Sequence, residues 1–378
     1  MKIHRNLLKI INNQILPGKV TIIYGPRQVG KTTLVKALMS MSSLKTLFVN
    51  ADELIYRDVL SSQSLQQLTE LIGDVKLFII DEAQRVKDIG VNLKIIVDNY
   101  PSLKVIATGS ASFELANQIS EPLTGRKITF TLYPISYSEL RKTYGTIETR
   151  DQLERWLIWG GYPEIVSTDH QDQRERLMGE LVNSYLYRDV LDLTEVRYSS
   201  KIVDLLRLLA FQIGSEVSIS ELATNLSSDF RTIHRYLDLL EKAFVIYRVG
   251  GFSRNLRKEI SKNARYYFFD NGVRNSLIQN FNPLKLRDDI GQLWENFLMI
   301  ERRKANQIAS RSVNTYFWRT YDQKEIDCIE EYHGQLYGYE FKHGGGEIRA
   351  ATKNRFLTTY PGSELSVISK KNFESFIT

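Results

Sequence analysis

The sequence predicts an α/β chain organised around a parallel sheet, and two observations carry the prediction. Three short apolar runs, residues 19–24 (KVTIIY), 75–80 (VKLFII) and 103–107 (LKVIA), have the length and composition of buried strands. Helical patterns lie between them, and strands alternating with helices build parallel sheets. The alternation stops near residue 140. Residues 150–210 then read as helical, 216–250 as two short helices and a strand, and from about 266 a helix around Leu293–Lys304 precedes strands at 313–319, 325–331 and 335–342.

Composition sets the outer bounds. Apolar residues make up 43% of the 378, enough for sizeable cores and against disorder. At about 150 residues per domain the length accommodates two to three domains. The pattern changes divide the chain into 1–140, 141–200, 201–265 and 266–378. Lys and Arg outnumber Asp and Glu by 50 to 44, a mild excess that permits a polyanion partner without requiring one. A single cysteine, Cys328, excludes an internal disulfide and a Cys-rich zinc module. The five histidines (4, 170, 234, 333 and 343) provide no His-x-x-x-His pair. No run approaches 18 apolar residues, and the N-terminus lacks a signal peptide's uninterrupted apolar centre. The expectation is a soluble, cytoplasmic protein with no membrane partner.

The first strand runs into Gly25-Pro26-Arg27-Gln28-Val29-Gly30-Lys31-Thr32, followed by Thr33, and this segment fits G-x-x-x-x-G-K-[ST] at every fixed position. Backbone N–H groups of such a loop form an anion nest at a helix N-terminus. Lys31 is placed to reach the β- and γ-phosphates of a nucleotide, and the Thr32 hydroxyl to take a place on Mg²⁺. The second run ends in Asp81-Glu82, at the carboxyl end of a central strand, where open parallel sheets bind ligands. Asp81 is the expected Mg²⁺ partner and Glu82 the general base that polarises the attacking water; the pair favours ATP hydrolysis over transfer to a hydroxyl. The third run ends in Ala107-Thr108-Gly109-Ser110-Ala111-Ser112. Ser110, or else Thr108, is placed to bond the water or the γ-phosphate; Ser110 or Ser112 serves equally as a helix cap. Arg126, after Gly125 and ahead of ITFTLYPI, is a candidate arginine finger for a neighbouring subunit, which would make the protein a homo-oligomer. The alternative is a surface arginine at a strand start.

GPRQVGKT, FIIDEAQ, ATGSAS, LTGRKITFTLYPIS and GGYPE (160–164) together resemble the AAA-class ATPases of archaea and bacteria that carry a C-terminal domain of unknown function. The resemblance covers most of the first 165 residues. It implies an AAA-type P-loop sheet with a helical lid, and ATP with Mg²⁺ as cofactors.

Residues 218–240 have helix-turn-helix phasing. Ile219, Leu222, Ala223 and Leu226 form one apolar face, capped by Ser218 or Ser220; Ile233, Tyr236, Leu237 and Leu240 form the second. Arg231, Thr232, His234 and Arg235 face outward, able to touch phosphates or base edges. The strand AFVIYRV and a basic stretch with Arg254, Arg257, Lys258, Lys262 and Arg265 follow in the place of a wing. The segment resembles a winged helix. Such modules bind DNA or only pack against other domains; the basic stretch favours nucleic acid, DNA first.

The last constellation is Glu295 on a helix, Asp327 in a strand, and Glu340-Phe341-Lys342 in the next strand. Strand alternation puts Glu340 and Lys342 on one face, and Tyr339 and Phe341 on the other. The order of helix acid, hairpin Asp and Glu-x-Lys resembles the PD-(D/E)xK nuclease core, which implies a restriction-endonuclease-like α/β domain with Mg²⁺ on Asp327 and Glu340. Ile326 stands where the strict motif has Pro, and a polar sheet face with a salt bridge is the plain alternative. The functional expectation is a Mg²⁺-dependent ATPase coupling nucleotide state to DNA binding or processing; the alternative is a nucleotide-gated switch with an inactive nuclease fold that recruits protein or DNA partners.

Overall fold

The computed structural model describes residues 3–110, 122–185, 199–253 and 264–378. Five parallel strands form the first sheet: β1 (Val20–Gly25), β2 (Thr46–Asn50), β3 (Leu77–Asp81), β4 (Lys104–Ser110) and β5 (Lys127–Thr131), in the order β2-β3-β4-β1-β5. β3 is buried at all five positions, as its unbroken apolar run requires of a strand covered on both faces. β2, TLFVN, was not among the expected strands; only Val49 is fully buried, so the sequence there is too mixed to announce a core strand.

The chain order leaves β4 between β1 and β3. The phosphate loop, Asp81 and the end of β4 therefore emerge side by side at one edge of the sheet. One face is covered by a core including Phe78, Ile80, Leu93 and Val105. The other belongs to a core that continues from Leu7, Ile23 and Leu34 through Trp156 and Leu237 to Trp294 and Ile377.

The second sheet has seven strands. β6 (Glu216–Val217), β7 (Ile246–Gly251) and β8 (Ala264–Phe268) precede the long helix Ile290–Ile308; β9 (Asn314–Arg319), β10 (Glu325–Tyr332), β11 (Gln335–Phe341) and β12 (Glu364–Ile368) follow it. Their order is β12-β11-β10-β9-β7-β8-β6. A short parallel pairing, Gly250 with Tyr316 and Gly251 with Phe317, joins β7 to β9. Strands from both sides of residue 265 thus form one sheet. The helix Ala350–Thr359 covers its outer face, packing its own Phe356 with Trp318 and Ile326.

Before β7, the helices Ile219–Asn225 and Phe230–Lys242 pack through Leu222, Ala223, Ile233, Tyr236, Leu237 and Leu240. Ser218 accepts from the Glu221 N–H and caps the first helix; Asp229 accepts from the Thr232 N–H at 2.9 Å and caps the second.

Candidate nucleotide site and the C-terminal acidic face

The loop Gly25–Thr32 leaves β1 and turns into the helix Lys31–Met41. Gly25 is required by a close approach: a Cβ there would lie 2.2 Å from the Leu132 carbonyl oxygen. Gly30 has φ 93°, and so does the left-handed region claim Gln28, at φ 59°, although it is not glycine. Alternating handedness of this kind turns successive N–H groups inward. The Lys31 side chain is buried and its Nζ donates to the Gly25 and Pro26 carbonyls, each at 2.8 Å. The ammonium thus lies over the loop, where a phosphate would compete for it.

Thr32 Oγ1 donates to Asp81 Oδ2 at 2.6 Å. Thr108, in β4, donates its hydroxyl to the other oxygen, Asp81 Oδ1, and accepts from the Glu82 N–H at 3.3 Å. One buried hydroxyl therefore orients the carboxylate and the backbone on which Glu82 is mounted. Glu82 has φ 55°, and Gln84 Nε2 donates to its Oε2. Thr32 and Asp81 offer hard oxygen donors of the kind Mg²⁺ takes, so the residues present fit that ion. Ser110 is buried at the end of β4 and pairs in register with Gly25, beside the loop.

Arg126 lies elsewhere. Lys127 pairs with Val20, so Arg126 precedes the opposite edge of the sheet, about 16 Å of strand from the loop. Its Nε is 2.6 Å from Asp98 Oδ1, a half-exposed ion pair.

A cleft of about 810 Å³ opens beside the loop, lined by Ile3, His4, Leu8, Thr33, Pro163 and Glu164 among others. Its size is that of a small-molecule site. Of these, sequence reading assigned a nucleotide-binding role to Thr33 alone; Ile3, His4 and Leu8 carried none. Behind it, Arg5 Nη1 donates to the Val29 carbonyl at 3.0 Å, and Nη2 to the Tyr133 carbonyl at 2.6 Å, with Glu139 beside Nε at 3.3 Å. The segment carrying Pro163 is anchored in turn. Asp270 Oδ2 accepts from the Gly161 N–H at 2.7 Å, and its Oδ1 from the Gly272 and Val273 N–H groups. Burial pushes the Asp270 carboxyl up to about 6 despite those donors. The paired glycines of Gly160-Gly161 were the available signal: a Cβ at Gly160 would lie 2.0 Å from Asp270 Oδ1, and one at Gly161 2.3 Å from the Ile135 oxygen.

On the helix Phe230–Lys242, Arg231, His234 and Arg235 are exposed, while the Thr232 hydroxyl is engaged by Asp229 Oδ2 at 2.6 Å. Arg254, Arg257, Lys258 and Lys262 lie outside the described residues. Arg265 corrects the expectation placed on it. It is 2% exposed, within β8, and cannot meet a nucleic acid.

Arg265 instead reaches the C-terminal acids. Its Nη1 is 3.3 Å from Glu295 Oε1 and 3.8 Å from Asp327 Oδ1, and its Nη2 is 2.8 Å from Glu325 Oε2. Tyr267 also donates to Glu295 Oε1, at 2.6 Å, and the Phe341 N–H to Asp327 Oδ2, at 2.8 Å. A β-bulge between Ile326 and Ile329 sets Asp327 at this register. Glu340 and Lys342 share a face and pair at 2.7 Å, while Tyr339 and Phe341 pack on Phe376 from the other. Glu340 Oε2 is buried without a hydrogen-bond partner. Burial pushes Glu295 up to about 7, and Asp327 is raised by burial and by its two carboxylate neighbours. Among the described residues, no three His, Cys, Asp or Glu side chains are grouped to hold a metal ion.

Strand order, loop and carboxylate make the first part of the chain a parallel α/β domain with a P-loop. Residues 17–141 match the family described as an AAA domain; residues 150–284 and 290–372 match two domains of unknown function, DUF8612 and DUF4143. The uncharacterized protein Rv2008c of Mycobacterium tuberculosis is 29% identical over 326 residues, covering 85% of this chain and 70% of that protein. MJ1544 of Methanocaldococcus jannaschii, also uncharacterized, is 26% identical over 349 residues, covering 85% and 75%. Among solved structures, Aeropyrum pernix ORC1 in complex with DNA aligns over 74% of this chain and 93% of its own, at 13% identity and a TM-score of 0.34. The Thermotoga maritima RuvB branch migration motor aligns over 65% and 90%, at 18% identity and a TM-score of 0.31. No helix among the described residues is long and apolar enough to cross a membrane.

Proposed function

We propose that the protein binds ATP with Mg²⁺ and hydrolyses it, and that nucleotide state governs contact with nucleic acid, DNA in the first place. The observation that carries the ATPase reading is the Thr32–Asp81–Thr108 chain of hydrogen bonds beside Lys31. Thr32 and Asp81 would hold the Mg²⁺, which neutralises phosphate charge when bound. Lys31 binds the phosphates, and Glu82 takes the proton of the attacking water. The nucleic-acid reading rests on Arg231, His234 and Arg235, exposed along one helix in a segment with winged-helix phasing. Arg126 as a finger would serve only a second copy of the chain, after release from Asp98.

The test is hydrolysis of ATP with Mg²⁺, with and without single-stranded, duplex and branched DNA. Wild type should turn over faster with DNA, Lys31→Ala should lose turnover, and Arg231→Ala/Arg235→Ala should keep basal turnover but lose the DNA response. Turnover indifferent to every nucleic acid would refute the coupling.

A second reading concerns the C-terminal domain. The oxygens of Glu295 and Asp327 are engaged by Arg265, Tyr267 and the Phe341 N–H. That favours a nuclease-like fold that recruits a partner without cutting. Strand cutting that requires Mg²⁺ and vanishes with Glu340→Gln would refute this reading.

A further inference from the structure

Three acids, Glu295, Glu325 and Asp327, surround one guanidinium in the C-terminal sheet, and a fourth, Glu340, is paired with Lys342. Glu295 comes from the helix Ile290–Ile308, Glu325 and Asp327 from β10, and Glu340 from β11. Arg265 enters from β8, on the far side of β9 and β7 in the sheet order. Its side chain crosses the Phe317 ring, 4.6 Å from the centroid, and is buried throughout. A divalent ion on this face would need oxygens of Glu295 and Asp327 within about 2.0–2.6 Å of one point. The space between those two carboxylates is filled by Nη1, 3.3 Å from one and 3.8 Å from the other. The Gly214 turn lies close on the Glu295 side: a Cβ there would be 3.1 Å from the Glu295 carboxyl.

We infer that Arg265 is the resident cation of this face: its guanidinium occupies the position a divalent ion would take between Glu295 and Asp327, so the native face binds no divalent cation and its acids instead fasten β8 to the long helix and to β10. A buried guanidinium is suited to this. Its planar fork bonds two carboxylates at once and keeps its charge when desolvated. Removing it would leave Glu295 and Asp327 facing each other without their ion-pair partner, which is a cation site in waiting. The inference deepens the second reading above and is independent of ATP hydrolysis.

The test is Mn²⁺ binding to the nucleotide-free full-length protein, by calorimetry and by the paramagnetic resonance of the bound ion. Mn²⁺ stoichiometry and affinity should be the same in wild type, Asp327→Asn and Glu340→Gln. Arg265→Gln should gain one Mn²⁺ site, and adding Asp327→Asn to it should remove that site. Loss of a site, or at least tenfold weaker binding, on introducing Asp327→Asn or Glu340→Gln into the otherwise wild-type chain overturns the inference. A folded Arg265→Gln that gains no site also overturns it, because the guanidinium would then not be filling a metal position. Should Arg265→Gln not fold, the comparison of the two acid variants with wild type decides alone. Gel assay of strand cutting by the same proteins tests the second reading separately: Mn²⁺ bound by the acids without cutting sinks this inference and leaves that reading standing.

Discussion

Thr108 shows how much of a site can hang on one hydroxyl. It donates to Asp81 and accepts from the Glu82 N–H, fixing both members of the carboxylate pair from the neighbouring strand. Thr108→Val keeps the shape and removes both bonds. Partners of this kind typically contribute 10–100-fold in metal affinity or activity. ATP turnover should fall by about that factor in a steady-state assay, with Thr108→Ser close to wild type. Gly25→Ala should be more damaging, because its Cβ would collide with the Leu132 carbonyl; nucleotide binding, measured by fluorescence titration, should be lost along with a drop in melting temperature. The loop and Asp81-Glu82 were legible in the sequence because each is contiguous. The tie from Thr108 was not, since it depends on β4 lying between β1 and β3. Arg265 was misread for a related reason. It closes a run of basic residues by sequence, yet it stands in ARYYF, a strand buried at all five positions, and that apolar setting was the usable signal.

At the scale of elements, the helix Ile290–Ile308 ties the two sheets together. Near its start, Glu295 joins the Arg265 cluster. Further along, Glu301 Oε2 accepts from the Tyr137 N–H at 2.7 Å, Lys304 Nζ donates to Glu301 Oε1 at 2.7 Å, and Gln307 Nε2 donates to the Thr131 carbonyl at 2.6 Å. Tyr137 and Thr131 flank Tyr133, whose carbonyl meets Arg5 behind the phosphate loop. Breaking the buried Glu301–Lys304 pair from one side should cost about 3–5 kcal/mol. Lys304→Met should therefore destabilise strongly in urea titration, and Lys304→Met/Glu301→Gln by less than the sum of the single changes. The helix itself was readable from its apolar spacing; its polar partners, more than a hundred residues away, were not. Asp270 is a similar tie, holding Gly161 to the turn before the helix Asn271–Leu277. Its folded carboxyl titrates near 6, above the usual carboxylate range. Between those values the folded chain holds a proton that the unfolded chain has released, so the contribution to stability is complete at low pH and declines as pH rises through about 6. Asp270→Asn should be less stable overall, and its unfolding free energy should change less between pH 4 and 6.5 than that of wild type.

For the whole molecule, the decisive features are the continuous core and the seven-stranded sheet. One set of packed side chains runs from Leu7 and Leu34, against the phosphate loop's helix, to Trp294 and Ile377. β7 and β9, from either side of the long helix, share a sheet through two residue pairs that no periodicity in the sequence announces. A chain built of separately cored domains would unfold in steps; a shared core makes opening one part expose apolar surface on the other. The expected outcome is a single cooperative transition, with circular dichroism and tryptophan fluorescence coincident. ADP with Mg²⁺, bound only by the folded chain, should raise the midpoint of that whole transition, by about 2.7 kcal/mol in free energy at a hundred times its dissociation constant. Lys31→Ala should abolish the rise. Two transitions, with only the earlier or only the later moved by nucleotide, would show that the loop and the C-terminal sheet do not share a fold-level fate, and would remove the structural basis for coupling between them.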